Sequence, residues 1–169
     1  MNKSDIRQTI IAKRKLLNAD FILEASQKIF SQYLELNLPK EALVACYSPI
    51  HGEVDTKLII ENTPRILLPR VMRGSKILDF HTDDGKKYLP EIILAPLVAF
   101  DSHGNRLGFG GGYYDATLNY YKAIHHNFLY IGLAYDFQEV AEIPTDNHDF
   151  PLQGVITESK TKVFLTPIQ

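Results

Sequence analysis

Leu94-Ala-Pro-Leu-Val-Ala-Phe-Asp-Ser-His-Gly-Asn-Arg-Leu-Gly-Phe-Gly-Gly-Gly-Tyr-Tyr-Asp-Ala-Thr-Leu118 is the stretch around which this chain is organised. It opens in an apolar run, residues 92–100, that predicts a buried strand. Asp101, Ser102, His103, Gly104 and Asn105 follow as a turn cluster. Arg106 and Leu107 lead into Gly108, Phe109, Gly110, Gly111 and Gly112. Tyr114, Leu118, Tyr121 and Ala123 then recur at helical spacing, which predicts a helix reaching about His126. A strand, a glycine loop and a helix start in succession make an anion site. Glycine allows close backbone approach, and free N–H groups at a helix N-terminus favour negative charge. Arg106 adds a permanent cation, and Asp115 is placed to hold a hard cation such as Mg²⁺ on the same phosphates. A Walker loop is excluded, because no Lys-Ser or Lys-Thr follows the glycines. The dinucleotide fingerprint is excluded by Tyr113 in its last position.

Composition narrows the class. The chain has 169 residues, 45% hydrophobic and 22% charged, which suits a single globular domain spanning 1–169. A net charge of −2 argues against dependence on nucleic-acid backbone contacts. Cys46 is the only cysteine, which excludes an internal disulfide and a multi-cysteine zinc site; in its apolar run it reads as core. No apolar stretch is long enough to span a membrane, and the polar N-terminus has no signal-peptide pattern. A cytoplasmic monomer acting on small molecules, without nucleic-acid or membrane partners, is the expectation.

Outward from the centre, residues 2–17 predict a helix with Ile6, Ile10 and Leu17 on one stripe and Lys3, Arg7 and Arg14 at its rim. Those cations are either a solvated face or an anion-reaching rim. Asn18 reads as the cap of a second helix to about Leu36, with Ile22, Ala25, Ile29, Tyr33 and Leu36 in the core. Residues 42–47 predict a strand. The loop 48–53 hands over to a short helix, 56–62, capped by Asp55, so Ser48, Ile50 and Glu53 sit where α/β sheets bind ligands. Glu53 is either solvated or recognises a hydrogen-bond-donating ring. Further strands are predicted at 65–71, 76–81, 128–135, 154–157 and 162–165. Asp146, His148 and Asp149 fall in a turn-rich loop, as Asx turns or as a second metal-facing carboxylate. The six histidines form no metal motif. Helices alternating with apolar strands predict a three-layer α/β sandwich with a mostly parallel sheet flanked by helices.

One resemblance covers most of the chain. Pro96, Phe100, Asp101, Gly104, Arg106, Leu107, Gly108, Gly110, Gly112, Tyr113, Tyr114 and Asp115 resemble the central motif of the 5-formyltetrahydrofolate cyclo-ligase (methenyltetrahydrofolate synthetase) family. Lys3 with Arg7, Tyr47-Ser-Pro with Glu53-Val-Asp-Thr56, and Pro144 to His148-Asp149 with Thr157-Glu158 match weaker segments in the same order. The resemblance implies a Rossmann-like sheet and ATP-dependent cyclisation of 5-formyltetrahydrofolate to 5,10-methenyltetrahydrofolate. It implies ATP binding by Lys3, Arg7, Arg14 and the loop from Arg106 to Tyr114, with Arg106 and Lys3 acting on the transferred phosphate. It further implies folate contacts from Ser48, Ile50, Glu53, Gly110, Gly112 and Tyr113, and Mg²⁺ on Asp115 and Asp149. Residues 82–91 are shorter than in many members, and Ala116 stands where a basic residue is common. A non-catalytic folate- or nucleotide-binding protein and a sugar-phosphate enzyme using the same anion loop are the alternative readings.

Overall fold

The fold is built on a sheet whose middle strands are buried on both faces. The computed structural model describes residues 1–164; Leu165, the end of the last expected strand, lies outside them. The strand order is β10-β9-β8-β5-β1-β2-β3-β4, with β1 Val44–Ala45, β2 Ile66–Val71, β3 Leu78–His81, β4 Lys87–Tyr88, β5 Ile92–Pro96, β8 Leu129–Leu133, β9 Gly154–Ile156 and β10 Thr161–Val163. The run β9-β8-β5-β1-β2 is parallel, while β3, β4 and β10 pair antiparallel at the two edges.

Alternation along the middle strands sends side chains to two cores. Val44, Cys46, Ile92, Leu94, Ile131 and Leu133 pack on one side with Ala25 and Ile29 of α2 (Ala19–Glu35) and Ile59 of α3 (Lys57–Asn62). Ala45, Ile93, Ala95, Tyr130 and Val155 pack on the other with Leu118 and Tyr121 of α4 (Tyr113–Ala123). Helix layers on both faces explain why these strands read as continuous apolar runs. The expected three-layer α/β architecture is therefore observed.

Three local expectations change. First, residues 92–100 are two strands, not one. β5 ends at Pro96, and β6 (Ala99–Phe100) turns into a separate antiparallel hairpin with β7 (Arg106–Leu107). The buried carboxylate of Asp101 closes that hairpin by accepting from the N–H groups of His103 (2.9 Å), Asn105 (3.0 Å) and Ile143 (3.1 Å). Second, the 66–88 region is an antiparallel meander, and its β4 lies in residues 82–91, where no strand was expected. Third, Arg14 is buried. In α1 (Lys3–Lys15), residue 14 lies about 40° around the helix from residue 10, which continues the buried stripe of Ile6 and Ile10. That stripe packs on Val98, Ala99, Leu107 and Ile143, seating α1 over the β6–β7 hairpin at the carboxyl edge of the sheet.

Side-chain oxygens accept N–H groups near three helix starts; Asn18 is the cap expected, Asn2 was not foreseen, and Asp55 stands one residue before the cap position of α3, Thr56. The Asn2 side chain accepts from the Asp5 N–H at 2.9 Å, opening α1, and the Asn18 side chain accepts from Phe21 at 2.8 Å, opening α2. The Asp55 carboxylate accepts from the Lys57 N–H at 2.9 Å at the start of α3. Gly112, at φ +72°, precedes α4 and offers no side-chain cap. The first N–H groups of α4 are thus left for something other than the chain's own side chains.

Candidate active site

A 490 Å³ cavity opens where the carboxyl ends of β2 and β5 meet the start of α4. One wall is the loop from Gly108 to Gly112 with Tyr113 and Tyr114. The facing wall is apolar, built from Pro69, Val71 and Leu78 of the β2–β3 hairpin. Lys3 and Arg7 of α1 close one side, and Arg106, Asp115 and Asp149 complete the charged part.

The glycines here have separate reasons. Gly110 and Gly112 take φ of +104° and +72°, where a Cβ is strained. At Gly108, a Cβ would lie 2.9 Å from Nη1 of Arg106. At Gly111, it would lie 2.9 Å from Cδ2 of Tyr113. These two positions are small because side chains pass over them.

Arg106 forms the floor. Its Nη2 donates to Asp115 Oδ1 at 2.7 Å, and the same oxygen accepts from the Phe150 N–H at 3.1 Å. The guanidinium carbon lies 5.9 Å from the Tyr114 ring centre and 5.7 Å from that of Tyr130. Arg106 Nε and the Tyr130 hydroxyl are both buried without a protein partner. Burial pushes the Tyr130 phenol up to about 12 and raises Tyr114 well above its usual range, so both stay protonated beside the guanidinium.

Lys3 and Arg7 leave the first turns of α1 toward the same space. Lys3 Nζ donates to Asp146 Oδ2 at 2.6 Å and Asp149 Oδ2 at 2.7 Å. Burial works against the charged lysine, but its two carboxylate partners outweigh it and hold the ammonium above its ordinary value. Burial likewise opposes ionisation of Asp149, yet the Lys3 contact and the Asp146 N–H hold that carboxyl below the usual aspartate value. Arg7 Nε donates to the Gly108 carbonyl at 2.8 Å, tying α1 to the glycine loop.

The structure brings Lys3, Arg7, Arg106 to Asp115 and Asp149 together on one cavity surface. It does not place Arg14, Ser48, Ile50 or Glu53 on that surface. Arg14, expected to bind ATP, is instead 2% exposed. Its guanidinium donates to the carbonyls of His51 (2.8 Å), Ile50 (3.1 Å) and Leu97 (3.4 Å) and stands 3.9 Å from Glu53 Oε1. A guanidinium saturated in this way is a bracket for the 48–53 loop. Glu53 is buried too, and Oε2 accepts from the Ile50 N–H at 2.9 Å. Burial raises its carboxyl above the ordinary glutamate value. Ser48 and Ile50 are exposed on this loop, which meets the glycine loop where the His51 and Phe109 rings lie 6.2 Å apart.

The sequence reading passed over the apolar wall, Lys76, Thr117 and Tyr130. Leu78 and Tyr130 lie in strand patterns that are indistinguishable from core, and nothing local marks Leu78 as lining a cavity or Tyr130 as packing on Arg106.

For a metal, no group of three or more His, Cys, Asp or Glu side chains converges among the described residues. That donor set is unsuited to an all-protein cage. It fits Mg²⁺, which is commonly held by one or two carboxylates plus substrate phosphates. Asp115 and Asp149 both border the cavity and each makes its described contacts through a single oxygen, leaving the other for a cation.

Comparison with known proteins points to one family. A family model described as the 5-formyltetrahydrofolate cyclo-ligase family matches residues 81–158. A 5-formyltetrahydrofolate cyclo-ligase of Escherichia coli (strain K12) is 33% identical over 144 residues, 69% of this chain and 78% of that protein. One of Haemophilus influenzae is 31% identical over 182 aligned positions, 91% of this chain and 96% of that protein. The solved 5,10-methenyltetrahydrofolate synthetase of Mycoplasma pneumoniae superposes with a TM-score of 0.81 at 28% identity, covering 94% of this chain and 99% of its own.

Proposed function

The chain belongs to the 5-formyltetrahydrofolate cyclo-ligase family, and from that premise we propose how its cavity works. It converts 5-formyltetrahydrofolate and ATP to 5,10-methenyltetrahydrofolate, ADP and phosphate. The observation that carries the reading is the meeting, on one cavity wall, of an uncapped helix start, a glycine loop and the cations Lys3, Arg7 and Arg106. Such a wall receives a polyphosphate.

The chemistry starts from a poor leaving group. The N5-formyl group is an amide, and its oxygen departs badly as oxide or hydroxide. Transfer of the γ-phosphoryl of ATP to that oxygen breaks the bond to ADP and makes the oxygen a phosphate ester. N10 then attacks the formyl carbon and gives up its proton, the carbon–oxygen bond breaks, and phosphate leaves. The imidazolinium ring of the methenyl product closes. The departing phosphate takes the bonding electrons of the carbon–oxygen bond on its oxygen, which makes that oxygen a suitable acceptor for the proton.

This route asks little covalent work of the protein and much positioning. The α4 N–H groups and Arg7 are set to hold the nucleotide phosphates. Arg106, fixed by Asp115 and two tyrosine rings, presents charge where the γ-phosphoryl moves. Lys3 reaches the same region from the helix that covers it. Asp115 and Asp149 are the residues to hold Mg²⁺, which when bound neutralises phosphate charge and orients the transferring group. The folate ring is assigned to Tyr113, Gly110 and Gly112, with Ser48, Ile50 and Glu53 supplying the neighbouring loop, and the apolar wall of Pro69, Val71 and Leu78 excludes water from the ester.

Among the described residues, no helix is long and apolar enough to cross a membrane. A monomeric cytoplasmic enzyme with no nucleic-acid or membrane partner is part of the same proposal.

The test is direct. Purified protein is mixed with 5-formyltetrahydrofolate, ATP and Mg²⁺, and the absorbance of 5,10-methenyltetrahydrofolate is followed against controls lacking ATP or metal. ATP-dependent product is expected. Folate binding without turnover favours a non-catalytic binding protein, and neither binding nor turnover rejects the substrate assignment.

A further inference from the structure

We propose that Lys76, in the β2–β3 hairpin, is a positioning residue that sets the folate-facing half of the glycine loop; this rests on the function proposed above. Lys76 Nζ donates to the Gly111 carbonyl at 3.0 Å and stands 4.4 Å from the centre of the Tyr113 ring. It therefore links the β2–β3 hairpin, which carries the apolar wall, to the glycine loop.

The contact controls which way the loop faces. In a trans peptide the C=O and the following N–H point to opposite sides. With the Gly111 carbonyl turned to Lys76, the Gly112 N–H is directed away from the ammonium. Arg7 does the same at the other end of the loop by holding the Gly108 carbonyl at 2.8 Å. Two carbonyls that would repel an anionic ligand are thus each turned onto a cation.

Tyr113 is fixed from three directions. Its ring lies over Gly111, where a Cβ would come within 2.9 Å. Lys76 takes one ring face. The Tyr113 carbonyl accepts from the Thr117 hydroxyl at 2.6 Å, and the Thr117 hydroxyl oxygen in turn accepts from the Leu78 N–H of β3 at 2.9 Å. Thr117 is fully buried, so the β3–Thr117–Tyr113 link anchors the backbone while Lys76 sets the ring. Arg7 governs the end of the loop nearest α1, where phosphates are assigned. Lys76 governs the Gly111 carbonyl and the Tyr113 ring, where the pterin is assigned, and leaves the first N–H groups of α4, assigned to the phosphates, to the Thr117 link.

The hairpin turn delivers the lysine by its own bonds. The Ser75 N–H donates to the Met72 carbonyl at 3.1 Å, and the Ser75 hydroxyl accepts from Ile77 at 3.0 Å.

The test uses Lys76→Met and Lys76→Arg in the full-length protein, with KM for each substrate, kcat and the melting temperature. Lys76→Met is expected to raise KM for 5-formyltetrahydrofolate roughly ten-fold, with KM for ATP changed less than about two-fold and little change in melting. Lys76→Arg, which restores a donor and a cation over the ring, is expected to recover most of the loss. In a double-mutant cycle, Tyr113→Leu and Lys76→Met are expected to be strongly non-additive. Equal rises in both KM values, a larger rise for ATP, or additive effects with Tyr113→Leu would overturn the assignment. Wild-type protein without turnover would overturn the proposed function and this inference with it, and that arm is read separately from the variants.

Discussion

Replacing Arg106 by methionine separates what this residue does for the fold from what it does for the reaction. Arg106 is 5% exposed in its side chain and paired at 2.7 Å with Asp115, which is 26% exposed. Removing one partner of a fully buried pair costs about 3–5 kcal/mol. Asp115 keeps the Phe150 N–H at 3.1 Å and some solvent, which places the loss nearer 2–3 kcal/mol, about 5–10 °C in melting temperature for a chain of this length. Methionine retains the apolar stem between the Tyr114 and Tyr130 rings, so most of the loss reports the charge left behind. Adding Asp115→Asn removes that charge, and the double variant is expected to recover at least half of the stability. Turnover is expected to fall by roughly 10²–10³-fold in kcat in the single variant, the usual effect of losing one donor to a developing charge, and not to return in the double. Thermal melting followed by circular dichroism and the absorbance assay read the two quantities independently. A double variant as unstable as the single would show that the ion pair is not what Arg106 contributes. A single variant with near-normal kcat would remove it from the reaction.

Three further outcomes follow from the same geometry. Arg14→Met should lower stability by about 3–5 kcal/mol, because it strands Glu53 and three carbonyls, while KM for ATP per folded molecule stays within about two-fold; a large selective rise in that KM would return Arg14 to the nucleotide. The tie between Lys3 and Asp149 has a pH window. Asp149 is held below its ordinary 3.8, so its contribution is present above that pH and is lost as pH falls through the lowered value. Lys3 is held above its ordinary 10.5, so its contribution is present below that pH and is lost as pH rises through the raised value. Amide protection in the first turns of α1 should therefore be high between those limits and drop outside them, and Lys3→Met should show low protection at neutral pH; unchanged protection in that variant would deny the tie. Chelation of divalent metal should abolish turnover without shifting the melting temperature of the free protein, and Asp149→Asn should raise the Mg²⁺ concentration needed for half-maximal rate by roughly ten-fold or more; a metal requirement unchanged in that variant would take Asp149 out of the metal site.

Much of the site was legible because its signals are local. The Asp101 turn, the four glycines before α4 and the cap at Asn18 each act within a few residues of where they stand, and a one-dimensional reading captures them. The buried parallel strands were legible for a related reason, since two covered faces erase alternation. What escaped depends on contacts far apart in sequence. Two-residue strands such as β4, β6 and β7 are too short to show a period. Pro96 ends β5 inside an apolar run that gives no other sign of a break. Arg14 looked like a rim cation because its type suggests solvent, whereas its position on the Ile6–Ile10 stripe buries it, and the carbonyls that make burial tolerable come from residues 50, 51 and 97. Lys76 gave no signal at all, because its partners Gly111 and Tyr113 lie 35 or more residues away.

In the proposed mechanism the formyl oxygen of the substrate leaves as an oxygen of inorganic phosphate. Supplying 5-formyltetrahydrofolate labelled with oxygen-18 in the formyl group, with unlabelled ATP, and analysing the released inorganic phosphate by mass spectrometry tests it most directly. The label is expected to appear in phosphate in step with methenyl product. Methenyl product accompanied by unlabelled phosphate, with the label in water, would contradict it.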